Sequence, residues 1–132
     1  VGCRELIRDL NAIKYSTNPY NVNSMTMAAG IGSLQDEAYR IANCETICRN
    51  RDYTVSELRG MGFSMTESLA NFIFVTHPGI SGEELYQTLK SRGVLIRHFT
   101  KERICEYNRV TIGTREQMDV FLEQIRRILE EN

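Results

Sequence analysis

Apolar residues recur every three or four positions through the first half of the chain, which is the spacing of one face of an α-helix. The first such series is Leu6, Ile7, Leu10 and Ile13. Pro19 interrupts the helical pattern, and Asn21 or Asn23 is suited to cap a short helix that follows. We expect a bend at Gly30 and Gly32, because glycine weakens the interior of a helix.

A longer helical series follows these two glycines. Ser33 can restart the helix at Leu34, and Gly60 and Gly62 stop it after roughly seven turns. Its apolar positions are Ala38, Ile41, Cys44, Cys48, Val55 and Leu58. The first sixty residues are therefore predicted to be helical, with interruptions at Pro19 and near residue 30.

The pattern changes after Gly62 to short runs rich in aromatic and β-branched residues, which indicates β-strands. We predict strands at 63–65, 71–76, 94–99 and 108–114. Ser81 and Thr114 each precede a helical pattern and have Glu or Gln three residues later, as in a capping box. The second half thus has the order β-β-α-β-β-α. We predict an α+β fold: long N-terminal helices, then a small, mainly antiparallel sheet with helices packed on one face.

The strand predicted at 108–114 carries a charged residue on one of its two faces. Val110 and Ile112 point toward the helix that follows, whereas Arg109 points to the opposite face. A solvated surface charge is the commoner reason for such an arginine. A guanidinium also matches a carboxylate or a phosphate, and Arg97 is expected on the same side of its own strand. We therefore name Arg109 and Arg97 as candidate anion-binding residues.

The composition excludes several classes of partner. The chain has 132 residues, a formal net charge of −1 and scattered Lys and Arg residues, so nucleic acid is not an expected partner. No apolar run approaches the length of a membrane span, so a membrane is not expected either. Four cysteines lack a Cys-x-x-Cys spacing, and we expect free thiols and a cytoplasmic location. The sequence starts at Val1 without an initiator Met, and we expect it to be a fragment.

Few residues suit catalysis or metal binding. His77 precedes a proline and is expected in a turn, and His98 is expected to pack against the sheet. None of Lys14, Lys90 and Lys101 has the buried, hydroxyl-rich surroundings expected of a Schiff-base lysine. We predict no metal site and no catalytic side chain in this chain.

Four stretches together resemble the C-terminal part of histidinol-phosphate aminotransferases, which are pyridoxal-phosphate enzymes of the aspartate-aminotransferase fold type. The stretches are Asn18-Pro19-Tyr20-Asn21-Val22-Asn23, Glu67-Ser68-Leu69-Ala70-Asn71-Phe72, Gly93-Val94-Leu95-Ile96-Arg97 and Arg109-Val110-Thr111-Ile112-Gly113-Thr114-Arg115-Glu116. Their order and spacing extend the resemblance across essentially the whole chain.

The resemblance implies a C-terminal small domain at 34–132, preceded by an interdomain segment from the large domain at 1–33. It implies that Arg109 and Arg97 bind the substrate's phosphate or carboxylate, and that Tyr20 and Asn21 lie near the active site and dimer interface. The implied partners are the missing large domain, a second subunit, a small phosphorylated amino compound and a 2-oxo acid or amino acid.

The resemblance also implies that the residues holding pyridoxal phosphate, including its lysine, lie upstream of this chain. We therefore expect no cofactor in this fragment and no activity from it alone.

Other functions stay open. A threonine-phosphate decarboxylase or another aminotransferase has a similar small domain, and the sheet also suits a freestanding regulatory module that binds amino acids. A structural α+β domain without any site would leave the two arginines as a coincidence. A reading frame that extends upstream of Val1 would favour the enzyme.

Overall fold

The computed structural model of the protein describes residues 2–17, 20 and 22–131. The chain divides into two compact units, Val1–Arg40 and Ile41–Asn132. The boundary falls near the start of the third helix.

The first unit contains helices α1 (Arg4–Thr17) and α2 (Ser24–Gln35) and the start of α3 (Glu37–Gly60). Asn23 caps α2 as predicted, since its Oδ1 accepts from the backbone N–H of Thr26 at 2.9 Å. The alternative cap Asn21 lies outside the described residues. The predicted bend at Gly30 and Gly32 is wrong, because α2 passes through both positions.

The break between the second and third helices lies at Asp36 instead of Ser33. The backbone N–H of Asp36 donates to the Gly32 carbonyl at 3.1 Å and ends α2. Its Oδ1 accepts from the Tyr39 backbone N–H at 3.0 Å and caps the first turn of α3. An aspartate that satisfies these orphan N–H groups stops a helix more effectively than glycines whose backbone is still hydrogen-bonded.

The second unit contains the predicted β-β-α-β-β-α order. Its elements are β1 (Ser64–Met65), β2 (Phe72–Thr76), α4 (Gly82–Ser91), β3 (Arg97–His98), a 3₁₀ turn (Glu102–Ile104), β4 (Asn108–Thr111) and α5 (Arg115–Glu131). The four strands form one antiparallel sheet in the order β1-β2-β4-β3. The α+β prediction is therefore confirmed.

The third and fourth strands are shorter than predicted because other partners take their backbone groups. Val94, predicted to begin the third strand, donates its N–H to the Leu89 carbonyl at 2.9 Å and so completes the end of α4. Gly113, predicted to lie within the fourth strand, accepts at its carbonyl a hydrogen bond from the Asn50 side chain at 2.9 Å. In the described part of the chain, β3 pairs with β4 through Arg97 and His98 alone.

One face of the sheet is covered by the helices of this unit and forms the core. Its side chains interdigitate with those of α3, α4 and α5, and burial of this apolar surface is the main stabilising term. The buried hydrophobic residues are Leu58, Phe63, Ile73, Val75, Ile80, Leu85, Leu89, Val110, Ile112, Met118, Phe121, Leu122, Ile125 and Ile128.

The predicted caps position the two helices that follow strands. Ser81 Oγ accepts from the Glu84 backbone N–H at 3.2 Å at the start of α4. Thr114 and Gln117 form a reciprocal capping box on α5, with bonds of 2.9 Å and 3.3 Å. Because Thr114 follows β4 so closely, α5 begins four residues after the strand that carries Arg109 ends.

Candidate functional site

The opposite face of the sheet presents Phe72, Phe74, Arg97, Arg109 and Thr111, and we call it the open face. Arg109 pairs with Phe74 of β2 on one side and with Arg97 of β3 on the other. Directly paired residues of antiparallel strands present their side chains on the same face, with Cβ atoms about 5 Å apart. The two arginines named from the sequence therefore lie next to each other.

Each arginine of the pair lies over a different aromatic ring. The Arg109 guanidinium carbon lies 5.3 Å from the ring centroid of Phe72, and that of Arg97 lies 5.6 Å from the centroid of Phe99. Such cation–π contacts orient a guanidinium without using its N–H groups.

The Phe74 side chain lies beside Arg109 on the open face. Its ring stacks on Tyr107 at 4.7 Å and meets the edge of Phe99 at 5.8 Å. These rings were not identified from the sequence as part of the site. The alternation in β2, which places Phe72 and Phe74 opposite the buried Ile73, is the signal that could have found them.

The charges of the pair are not neutralised within the described part of the chain. Arg97 and Arg109 are both exposed, and neither guanidinium has an ion pair or a side-chain hydrogen bond among the residues that the structure describes. Arg126, by contrast, bonds to Glu57 at 2.6 Å. Like charges directly opposite each other on a sheet are destabilising. An anion between the two guanidiniums would remove that repulsion and accept their N–H groups.

Two buried asparagines form side-chain hydrogen bonds that hold the strand carrying Arg109 in place. Asn50 of α3 donates its Nδ2 to the Gly113 carbonyl at 2.9 Å, beyond the end of β4. Asn108, at 0% exposed, donates its Nδ2 to the Gly82 carbonyl at 2.8 Å. The sequence contained a signal for Asn50, since it shares a helical face with Thr54 and Leu58, but not for its partner.

A polar cluster joins α3 to the first turns of α5. The Tyr53 hydroxyl donates to Asp119 Oδ1 at 2.8 Å, and Arg115 Nε donates to the same oxygen at 3.1 Å. The Arg115 guanidinium carbon also lies 3.3 Å from the centroid of the Tyr53 ring. The hydrogen bond to Asp119 raises the pKa of Tyr53, and the same bond lowers the pKa of Asp119.

The remaining sequence-predicted residues lie elsewhere. Tyr20 is 85% exposed, and Asn21 is outside the described residues. His77 lies in a turn as predicted, where its Nδ1 accepts from the Gly79 N–H at 3.1 Å. His98 contacts Asn108 on the covered face.

The described residues contain no group of three or more His, Cys, Asp or Glu side chains arranged to hold a metal ion. All four cysteines are free thiols. No helix within the described ranges has both the length and the apolar character needed to span a bilayer.

Comparison with known proteins identifies the protein family to which this chain belongs. The family model of aminotransferase class I and II matches residues 3–125. The chain therefore belongs to the aminotransferase class I and II family.

Two curated relatives and one solved structure show which proteins of this family the chain is similar to. Histidinol-phosphate aminotransferase of Clostridium botulinum (strain Okra / Type B1) is 40% identical over 129 residues, 98% of this chain and 36% of that protein. The enzyme of the same name from Syntrophus aciditrophicus (strain SB) is 42% identical over 128 residues, 97% of this chain and 36% of that protein. The crystal structure of histidinol-phosphate aminotransferase from Clostridium acetobutylicum is 27% identical, with a TM-score of 0.75 over 91% of this chain and 37% of that one. The chain thus spans 36% of the length of these curated relatives.

This family implies pyridoxal phosphate, but the lysines of this chain do not fit its attachment. Lys14 and Lys90 are exposed, and each lies over a tyrosine ring, at 5.5 Å and 5.6 Å from the centroid. Lys101 is exposed at the start of the 3₁₀ turn. A Schiff-base lysine needs desolvated surroundings, and none of these three exposed lysines has them.

Proposed function

We propose that this chain is the C-terminal part of a histidinol-phosphate aminotransferase, in which Arg109 and Arg97 bind the substrate's anionic group. The observation that carries the proposal is the direct pairing of these two arginines across β3 and β4. The similarity to histidinol-phosphate aminotransferases over almost the whole chain supports the choice of substrate.

The chemistry of a phosphate ester suits the arginine pair. The ester carries up to two negative charges, and one guanidinium fork engages only two of its oxygens. The side chain of the directly paired arginine, whose Cβ lies about 5 Å away, can engage the remaining oxygen and balance the second charge. The aromatic rings beneath give the rest of the substrate an apolar surface to lie on.

In this proposal, the chain itself binds the substrate and orients it. In enzymes of this kind pyridoxal phosphate supplies the electron sink. We propose that a large domain of the same polypeptide holds the cofactor, and that residues 1–33 connect it to a small domain at 34–132. The enzyme acts as a cytoplasmic homodimer on a phosphorylated amino compound and a 2-oxo acid, with Tyr20 and Asn21 near the dimer interface.

The test uses the polypeptide encoded by the full reading frame that contains this chain. Arg109→Ala is expected to lower kcat/KM for histidinol phosphate by about one to two orders of magnitude, since a charge-assisted hydrogen bond contributes roughly 1.5–3 kcal/mol. Arg127→Ala is the matched control, because Arg127 is an exposed arginine of α5 whose ion pair, among the described residues, is with Glu123 of the same helix.

Steady-state kinetics should include histidinol and threonine phosphate alongside histidinol phosphate. Unchanged kcat/KM in Arg109→Ala would remove the anion-binding role. A preference for threonine phosphate would leave anion binding by the arginine pair in place but contradict histidinol phosphate as the substrate. The isolated chain, mixed with pyridoxal phosphate and borohydride, should show no covalent attachment at one defined lysine. Stoichiometric attachment would contradict the placement of the cofactor residues elsewhere.

A further inference from the structure

A buried side-chain network lies directly behind the arginine pair. Asn108 precedes Arg109 in β4, so its side chain points to the covered face, where it is 0% exposed. Its Nδ2 donates to the Gly82 carbonyl at 2.8 Å, and its Oδ1 lies 3.2 Å from Nδ1 of His98. Because Nδ2 is already committed to a carbonyl, Oδ1 must accept, and His98 Nδ1 must carry the proton that it donates.

The bond from His98 reinforces a very short strand. His98 and Asn108 are themselves paired in the ladder, one residue along from the pair formed by Arg97 and Arg109. β3 contains two residues and lies at the edge of the sheet, so few backbone bonds hold it. A slip of one residue would send the Arg97 side chain to the other face of the sheet.

Gly82, the first residue of α4, connects this helix to Asn108. Its N–H donates to Glu106 Oε2 at 3.3 Å, and its carbonyl accepts from Asn108. A Cβ at this position would lie 2.3 Å from the Cys105 carbonyl oxygen, so only glycine allows the first turn of α4 to approach the segment before β4. The start of α4 and both strands that carry arginines therefore meet at one asparagine.

We propose that Asn108 and His98 are positioning residues that keep Arg97 opposite Arg109 and so set the geometry of the anion site. This inference rests on the proposed function. Neither side chain reaches the open face, and both act through the register of β3 against β4.

The test separates the hydrogen bond of His98 from the packing of its ring, in the polypeptide encoded by the full reading frame. His98→Phe keeps a ring to stack on Tyr86, which lies 5.8 Å away between centroids, but has no donor. His98→Asn keeps a donor near the place of Nδ1 but has no ring. His77→Phe is the matched control, because His77 is the other half-buried histidine and lies in a turn.

We expect His98→Phe to raise KM for histidinol phosphate about tenfold, the effect of one hydrogen bond at the upper end of its range, with kcat within about twofold. KM for unphosphorylated histidinol should stay within about twofold, and His98→Asn should restore KM for the phosphorylated substrate to within about threefold. Asn108→Ala removes the acceptor and should reproduce the His98→Phe pattern, which keeps the test decisive if one variant does not fold.

Equal losses for both substrates, or a loss in His98→Asn without one in His98→Phe, would overturn the positioning role. So would wild-type KM in both His98→Phe and Asn108→Ala while Arg109→Ala impairs the enzyme. If Arg109→Ala itself leaves kinetics unchanged, the proposed function fails first and independently.

Discussion

The two faces of the sheet are built from the same strands and have opposite characters. In β4, Val110 is 2% exposed among the helices, whereas its neighbour Arg109 is exposed on the open face. In β2 the buried Ile73 alternates with Phe72, which is 37% exposed. Because the side-chain period of a strand is two residues, one short segment can stabilise the fold with one face and present binding groups with the other.

The two units differ in a similar way. No described residue of α1 or α2 is buried, although both helices carry large apolar side chains, whereas the second unit encloses a continuous core. The exposed large hydrophobic residues of the first unit are Leu6, Ile7, Leu10, Ile13, Tyr15, Tyr20, Val22, Met25, Met27, Ile31, Leu34 and Tyr39. Exposed apolar surface of this extent is typical of a site that contacts another protein surface. It agrees with the proposal that a large domain accompanies this segment.

The largest expected effect tests whether stability resides in the covered face. Leu122 of α5 is 0% exposed, and Leu122→Ala should reduce the free energy of unfolding by about 2–5 kcal/mol, because it removes buried methyl groups and leaves a cavity. Phe72→Ala on the open face should cost about 1 kcal/mol or less. Urea unfolding followed by circular dichroism measures both. Equal costs would show that the open face also carries the fold.

A smaller effect tests whether the open face discriminates by charge and geometry. In the full-length polypeptide, Arg97→Ala should lower kcat/KM for histidinol phosphate about tenfold and that for histidinol much less, since ~1.4 kcal/mol corresponds to tenfold. Arg109→Lys should recover only part of the loss caused by Arg109→Ala, because the ammonium keeps the charge but lacks the bidentate fork. Full recovery by lysine would show that charge alone is recognised.

The smallest expected effect concerns the link between α3 and α5 and should leave the open face unchanged. Tyr53→Phe removes the hydrogen bond to Asp119 and should lower stability by a few tenths to about 1 kcal/mol near neutral pH. Because the pKa of Asp119 is lowered in the folded state, the wild-type advantage is present above the ordinary carboxyl value of 3.8 and is lost as the pH falls through the folded pKa.

The same advantage should also disappear in alkali. The pKa of Tyr53 is raised in the folded state, so its contribution is complete below the ordinary value of 10.0 and is lost as the pH rises through the folded pKa. Urea unfolding of both proteins at several pH values measures the difference. Because Phe keeps the ring, a difference that does not vary with pH would show that the hydroxyl acts otherwise than through its hydrogen bond to the ionised Asp119.

Much of the second unit could be predicted because its signals are local. The alternation around Arg109 and the caps at Ser81 and Thr114 each depend on residues within a few positions, and the structure confirms the strand and the two helix starts. The signal for the break between the second and third helices is also local, but the prediction placed the break at Gly30 and Gly32 instead of at Asp36. Glycine only weakens a helix, whereas the side chain of Asp36 replaces its hydrogen bonds.

The local pattern of residues is sufficient to predict the order of helices and strands, the apolar face of β4 and the presence of an arginine on the other face. The tertiary fold is needed to place β4 between β2 and β3, and therefore Arg97 directly opposite Arg109. It also decided the partners of the two buried asparagines, since Asn50 reaches a carbonyl 63 residues away and Asn108 one 26 residues away. Periodicity reports which face a residue occupies, because that depends on its neighbours in the chain. Strand order and buried hydrogen bonds depend on how distant segments pack, and no local pattern contains that information.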